Sequence, residues 1–387
     1  MKKENRDTQS GYHRTTAVWL MCVLIIACFN SALPGQERIF LSHSRQTIGT
    51  QKNLSASVRL ADIDGDQDID ILVANGRHWP QQNFIFLNHG RGRFSTQRTL
   101  GQDQCTSYAT EIGDIDGDGD LDVVVGNDQA PNLIFLNLGD GKFGPGKPFG
   151  NVASVRSLTL ADLDGDTDLD ILATIRGSEN RFYLNDGHGV FGQGIPFGSL
   201  TDSTIDVAVV DLNGDHLEDL VLANRDQQQN AILINLGNLK FAPPVLFGNP
   251  GDSSRAVVCG DFDNDGHADI ATGNIGRQNG LYFGDGRGGI LTEIRFGRKD
   301  GKSYAIQTAD LNKDGKMDLV IGNVLQQNAV FLNLDKGNDF REIRFGSPIN
   351  ATYGIDVADL NADSWLDIAV ANSGAENRFF LNLKAKR

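Results

Sequence analysis

Cysteine is scarce in this chain. There are four in 387 residues, and two of them, Cys22 and Cys28, fall within the first 30. The remaining pair, Cys105 and Cys259, is too few to make a disulfide framework for a body of this size. Proline is sparse at 10, and methionine and tryptophan stand at 3 each. The apolar run Ala17–Phe29 has only 13 residues, short of the ~20 that a membrane-spanning helix needs. Lys and Arg, at 35, are outnumbered by 50 Asp and Glu, for a formal charge of −15. That balance argues against a general binder of nucleic acid or anionic membrane and favours cations, cationic partners or neutral ones. The HExxH, GxSxG and phosphate-loop patterns are all missing, so the commonest catalytic signatures are too.

The first residues differ from the rest. Lys2, Lys3, Arg6 and Arg14 precede the apolar run, and small residues follow it in "NSALPGQ". A basic start, an apolar core and a small-residue end read as a secretory leader over residues 1–32, cleaved near Ala32. Two alternatives stay open: a lipid-bearing Cys28 after "IIA", and an uncleaved anchor. All three place the body outside the cytoplasm, secreted, periplasmic or on the cell surface, with no membrane insertion of its own.

Glycine is abundant at 45, and aspartate comes in bursts. The stretch "DIDGDGDLD" (114–122) has six relatives, beginning at Asp62, Asp162, Asp211, Asp261, Asp310 and Asp359. The steps between the seven are 52, 48, 49, 50, 49 and 49 residues. A fixed period of this length signals a solenoid, a propeller or an array. Each unit holds an alternating run before the acidic stretch, a near-continuous apolar run after it, an Asn-led strand such as "NLIFLN", and a segment ending in "PFG" or "LFG". These are four short strands joined by Gly/Asn/Asp turns. A strand apolar on both faces must be covered on both faces. The expected fold is therefore all-β: a seven-bladed β-propeller of four-stranded blades over residues 38–387. The last unit lacks its fourth segment, while "RIFLSHSRQTIG" (38–49) is an orphan one. The N-terminal strand is thus expected to complete the last blade and leave no long open edge.

The acidic stretches align column by column. The first column is Asp62, Asp114, Asp162, Asp211, Asp261, Asp310 and Asp359. Two residues on stand Asp64, Asp116, Asp164, Asn213, Asp263, Asn312 and Asn361. Four on stand Asp66, Asp118, Asp166, Asp215, Asp265, Asp314 and Asp363; eight on, Asp70, Asp122, Asp170, Asp219, Asp269, Asp318 and Asp367. The position six residues on varies and includes Leu217 and Trp365, so a ligand there uses its backbone carbonyl. Alternating oxygen donors of this kind suit Ca²⁺, a hard cation that takes six to eight oxygens, and up to seven ions are expected. The bland alternative is a set of solvated Asp/Gly turns, but seven copies in one register favour the metal.

These units resemble FG-GAP (VCBS-type) repeats, as in the propeller of integrin α-subunits. Phe-Gly pairs stand at Phe149-Gly150, Phe197-Gly198, Phe247-Gly248, Phe296-Gly297 and Phe345-Gly346, with Ile48-Gly49 and Leu100-Gly101 as variants. The resemblance implies the propeller fold and Ca²⁺ held in the acidic loops. It does not carry over integrin adhesion, because the Gly-Ala-Pro part is missing and all seven units keep the loop. Some related propellers are polysaccharide lyases or dehydratases, so a Ca²⁺-dependent carbohydrate-active enzyme is the alternative to a binding module.

Six residues before each acidic stretch stand Ala56, Tyr108, Arg156, Ile205, Arg255, Tyr304 and Tyr353. This column belongs on the face away from the acidic loops, where three Tyr and two Arg suit a glycan or a protein loop; wedging between blades is the equal alternative. From Asn75 to Asn83 the first unit takes eight residues, where most others take five or six, and the insertion holds Arg77, His78 and Trp79. Insertions in repeat proteins gather on the binding face. The ligand residues expected are therefore Arg77, His78, Trp79, Tyr108, Arg156, Arg255, Tyr304 and Tyr353, in a monomeric module for a glycan or extracellular protein.

Overall fold

The computed structural model describes residues 37–385, so the leader reading lies outside the described residues. Two short strands come first, β1 (Arg38–Leu41) and β2 (Thr47–Ile48). A four-stranded antiparallel sheet follows: β3 (Ser55–Ala61), β4 (Asp70–Asn75), β5 (Gln81–Leu87) and β6 (Thr96–Cys105). The next sheet has six strands: β7 (Ser107–Gly113), β8 (Asp122–Phe135), β9 (Lys147–Ala161), β10 (Asp170–Ile175), β11 (Asn180–Tyr183) and β12 (Ile195–Phe197). Three four-stranded sheets come after it. They are β13 (Thr204–Val210) to β16 (Val245–Phe247) by way of β14 (Asp219–Asn224) and β15 (Asn230–Leu233); β17 (Ser254–Gly260) to β20 (Ile290–Phe296) by way of β18 (Asp269–Asn274) and β19 (Asn279–Gly284); and β21 (Ser303–Ala309) to β24 (Phe340–Phe345) by way of β22 (Asp318–Asn323) and β23 (Asn328–Asn333). The last comprises β25 (Thr352–Ala358), β26 (Asp367–Asn372) and β27 (Asn377–Lys384), joined by β1 and β2.

Counted as hydrogen-bonded sheets among the described residues, the propeller has six blades, not the expected seven. The cause is local. The step from Asp114 to Asp162, 48 residues, is the shortest in the chain. Where other units turn between one Phe-Gly pair and the next innermost strand, Gly150–Val155 stays extended within β9. Ala153 and Ser154 go on pairing with Ala130 and Asp128 across two register shifts. The far half of β9 then pairs with β10, so two repeats share one sheet.

The second strand of the repeat is the core strand. Every residue of β4, β10, β14, β18, β22 and β26 is buried, because sheets cover it on both faces. The Phe of a Phe-Gly pair wedges against a ring of the next unit: Phe247 meets Tyr282 at 4.9 Å between ring centres, and Phe296 meets Phe331 at 5.1 Å, both edge to face and across two sheets. The Gly is needed for its backbone. Gly150 has φ of 60°, and a Cβ there would stand 2.5 Å from the Tyr183 hydroxyl.

Closure takes two forms. Arg38–Leu41 pairs antiparallel with Leu381–Lys384, and Thr47–Ile48 with Asn377–Arg378. The innermost strands β3, β7, β9, β13, β17, β21 and β25 pack one on the next, and β25 packs back on β3. The result is a ring about a central axis. Cys105 and Cys259 are both free thiols.

Candidate functional site

Each acidic stretch joins the innermost strand to the core strand, as in the hairpin where Ala61 pairs Asp70 and Ser55 pairs Asn75. All seven stretches therefore leave the same end of their hairpins. Tight winding puts the fourth residue of every stretch in the left-handed region, filled by Gly65, Gly117, Gly165 and Gly214 but also by Asn264, Lys313 and Ala362. The first Asp accepts the amides of the turn: Asp114 takes Gly117 N–H at 2.9 Å and Gly119 N–H at 3.0 Å. The third-column Asp accepts the N–H two residues on, as Asp66 does from Asp68 at 2.9 Å.

The last Asp of each stretch has another role that its sequence spacing hides. Oδ2 of Asp70 accepts Ile63 N–H at 3.0 Å, and its Oδ1 accepts Asn88 N–H at 2.7 Å. Asp122, Asp170, Asp219, Asp269, Asp318 and Asp367 repeat both bonds. This column pins the loop to the end of the third strand. Burial pushes Asp70, Asp318 and Asp367 up to about 7, and Asp122, Asp170 and Asp269 up to about 6.

Three carboxylates converge in four stretches, with ligand atoms within 4.8 Å of one another: Asp62, Asp64 and Asp66; Asp114, Asp116 and Asp122; Asp162, Asp164 and Asp170; Asp261, Asp263 and Asp265. These are the four with Asp in the second column. Burial, then the charge of the third-column Asp, raises Asp64, Asp116, Asp164 and Asp263 above the ordinary carboxylate value. The buried Oδ1 atoms of Asp62, Asp64, Asp116 and Asn361 have no hydrogen-bond partner. Unpaired oxygens facing like charge are costly, and a cation would satisfy both, so the donor set fits a metal ion. The remaining stretches differ in detail. Asn213 and Asn312 donate from Nδ2 to Asp215 and Asp314, at 3.0 and 3.2 Å. Lys316 sets an ammonium 3.1 Å from Asp314 Oδ2.

The opposite end of the hairpins carries a second cluster. Gly76 and Arg77 donate their N–H groups to Leu54 O at 3.1 Å, folding the inserted loop over the ring. Arg77 lies on the Tyr353 ring, 3.4 Å from its centre, and Tyr353 meets Tyr304 edge to face at 5.0 Å. Arg255 stands 5.9 Å from the Tyr304 ring. Arg156 sits 4.2 Å over Tyr108, and the Tyr108 hydroxyl reaches His78 Nδ1 at 3.3 Å. Seven of the eight ligand residues expected from sequence thus fall into two contacting groups. Trp79 joins neither and is 71% exposed. Of the same column, Ala56 and Ile205 are buried.

Between these groups the axis opens into a cavity of about 320 Å³. Deeper in it stand Arg59, Glu111, Asp206 and Gln307. Arg59 Nε donates to Glu111 Oε2 at 3.0 Å and its Nη2 pairs with Glu111 Oε1. Burial opposes the Arg59 charge, but Glu111, with Asp356 and Asp206 behind it, raises its pKa. Burial holds Asp206 and Asp356 up at about 6. Sequence reasoning missed this layer, although Arg59, Glu111, Gln307 and Asp356 share one column three residues before their acidic stretches.

The family model of the FG-GAP-like repeat matches six overlapping stretches: 62–125, 114–173, 162–222, 211–272, 261–321 and 310–370. No curated protein matches the chain in sequence. Among solved structures, the BP39L lectin from Burkholderia pseudomallei superposes with a TM-score of 0.67 at 10% identity, over 87% of this chain and 98% of that one. BBS1N, crystallised in complex with ARL6DN and soaked with lead, gives 0.62 at 11% identity, over 90% and 98%. At such identities the likeness speaks for the fold.

Proposed function

This chain belongs to the FG-GAP-like repeat family, and we propose on that premise that it is an exported, Ca²⁺-loaded binding module for a glycan or protein ligand. The cation sites take the first three columns of the acidic stretches, with the carboxylates of the last column as supports and further donors. Bound Ca²⁺ supplies positive charge that offsets the clustered carboxylates and rigidifies one rim of the ring. Asp114 shapes its loop through two amide bonds, and Asp122 ties that loop to the third strand. Export follows from the basic and apolar residues 1–32.

One observation carries the ligand face. Arginines, tyrosines and a histidine converge at the axial opening, on the end of the hairpins away from the acidic loops. Rings and guanidinium groups of this kind dominate binding hot spots. A lectin and a propeller crystallised with a protein partner share the architecture, which accords with either ligand class. The test is a glycan array run beside a pull-down from native membrane or medium, each repeated with Tyr304→Ala and Trp79→Ala. Capture that both variants weaken, at unchanged melting temperature, supports the reading. Absence of capture in both formats, or capture that both variants leave intact, refutes it.

The axial carboxylates favour one other reading, a carbohydrate-active enzyme. Asp206 and Asp356, held at about 6, are in the range that suits general acid–base chemistry. Polysaccharide turnover that is lost in Asp206→Asn would decide for it.

A further inference from the structure

We propose that the axial opening seats a carboxylate, and that the ligand is an acidic glycan presenting a uronate residue to Arg255 and Arg77. This deepens the binding-module reading above and rests on it.

Three arginines, Arg77, Arg156 and Arg255, gather at the rim of the opening on an acidic protein. The charges of Arg77 and Arg225 both oppose that of Arg255. Burial pushes the Arg255 guanidinium down to about 10, and Asp206 only partly compensates. Among the described residues, the Arg255 guanidinium makes no hydrogen bond and no ion pair within 4.0 Å. Arg77 likewise has no ion pair within 4.0 Å among the described residues, and its guanidinium carbon stands 3.4 Å over the centre of the Tyr353 ring. Stacking on a ring leaves the edge N–H groups of a guanidinium free, and those edges match a carboxylate two bonds at a time. Such donors at a partly enclosed opening are free to take an acceptor from a ligand. Its nearby carboxylates are engaged elsewhere: Asp206 Oδ2 accepts Val257 N–H at 3.1 Å, and Asp128 takes Arg156 at 3.3 Å. His78 reports the same field, since Arg77 and Arg156 add to burial in lowering its pKa.

The size and surroundings of the site choose the ligand class. A cavity of about 320 Å³ is at the small end of ligand pockets and admits one or two sugar rings. Trp79, exposed and two residues from Arg77 in the same inserted loop, offers a free indole face to a ligand that reaches that loop. An apolar face next to paired guanidinium groups suits a pyranose ring that carries a carboxylate.

The experiment uses the Ca²⁺-saturated mature chain at fixed free Ca²⁺. Calorimetric titration would compare a tetrasaccharide ending in a single glucuronate, its carboxyl-reduced counterpart, and a tetrapeptide ending in glutamate. The acidic sugar is expected to bind at least tenfold more tightly than the other two, with affinity falling as salt rises. Arg255→Gln should cost tenfold or more. Arg77→Gln, in an exposed loop, gives a second measurement should Arg255→Gln fail to fold, with a similar loss at unchanged melting. Equal binding of the reduced sugar, or indifference to both substitutions, overturns the carboxylate seat while leaving a glycan-binding module in place. Preference for the peptide overturns the glycan class. Failure of all three probes while the array or pull-down captures another ligand overturns this inference alone, and failure of every format overturns the module reading with it.

Discussion

Asn377 donates from Nδ2 to the hydroxyl of Ser55, 2.9 Å away across 322 residues of chain. The Ser55 hydroxyl in turn donates to Asn75 Oδ1 at 2.7 Å, whose own N–H donates to Asn83 Oδ1, and Asn83 Nδ2 donates to Ser107. Asn83 thus ties the first unit to the second, and at the Ser55 seam Asn377 ties the end of the ring to its beginning, whereas Nδ2 of Asn132 and Asn180 has no such partner. Ser55→Ala leaves two buried amide groups short of a partner and should cost ~1–3 kcal/mol. A double-mutant cycle with Asn377→Ala, measured by urea unfolding, should show a coupling of ~1 kcal/mol. Strict additivity would mean that the bond contributes nothing to closure.

Deleting residues 38–48 removes β1 and β2, leaves β27 paired with β26 alone, and uncovers the outer edge of a strand carrying Phe379, Phe380 and Leu381. Open apolar edges pair with other chains. The truncated chain should aggregate, seen as oligomers by light scattering and as a lower melting temperature. A monomer that melts like the parent would refute the clasp.

Chelation should destabilise the ring, because clustered carboxylates repel one another without a cation. EGTA is expected to lower the melting temperature by several degrees, with Ca²⁺ restoring it better than Mg²⁺. Asp116→Ala should weaken Ca²⁺ uptake at its loop. Lys316→Ala should tighten uptake at the 310–318 loop, because it removes the ammonium held on Asp314. Calcium titration of each variant reads these effects.

Ala362 has a φ of 60° at a position that four other loops fill with glycine. Left-handed backbone costs an L-residue about 1–2 kcal/mol, against the 0.5–1 kcal/mol that glycine loses in flexibility. Ala362→Gly should therefore raise stability slightly, by up to ~1 kcal/mol, measured as a higher midpoint in urea. The same substitution at Ala61, inside β3, should lower it.

Burial raises the folded pKa of Asp206 and Asp356 from an ordinary 3.8 to about 6. The folded state then holds more protons than the unfolded chain between these values. The stability linked to these two groups is fully present below about 4 and is lost as pH rises through about 6. Cation binding at the loops tends the other way, since acid protonates the ligands. The comparison is therefore made at saturating Ca²⁺ between the parent and Asp206→Asn or Asp356→Asn. Each variant should show a shallower fall in melting temperature from pH 4 to 7. Parallel pH profiles would argue against buried, raised carboxylates on the axis.

Much of this molecule was legible in its period. The acidic columns, the four-strand unit, the Phe-Gly turn and the pairing of the two ends all follow from spacings that the chain repeats. The six-blade count did not, because it turns on one missing residue between Phe149 and Arg156, which keeps Gly150–Val155 extended. The axial layer of Arg59, Glu111 and Asp356 escaped for another reason. Its members are polar residues in an alternating strand, which a sequence reading assigns to solvent, and they meet only once the ring has closed. Asp70 and its equivalents were read as metal ligands from spacing, while their two bonds to backbone amides depend on where the third strand ends.

The register of the seam has a mechanical meaning. Arg38 lies opposite Lys384 and Leu41 opposite Leu381, so chain entering before Arg38 and chain leaving after Lys384 depart from the same end of the ladder. A force drawing residues 37 and 385 apart would load these pairs one at a time and peel β1 and then β2 from β27. A force drawing residue 37 outward along the strand axis, against a hold at the far end of β27, would load the same bonds together, in shear. The ring therefore opens under a weak pull in one direction and resists a strong one in the other, which makes the direction of tethering a determinant of how long the closed ring survives under tension.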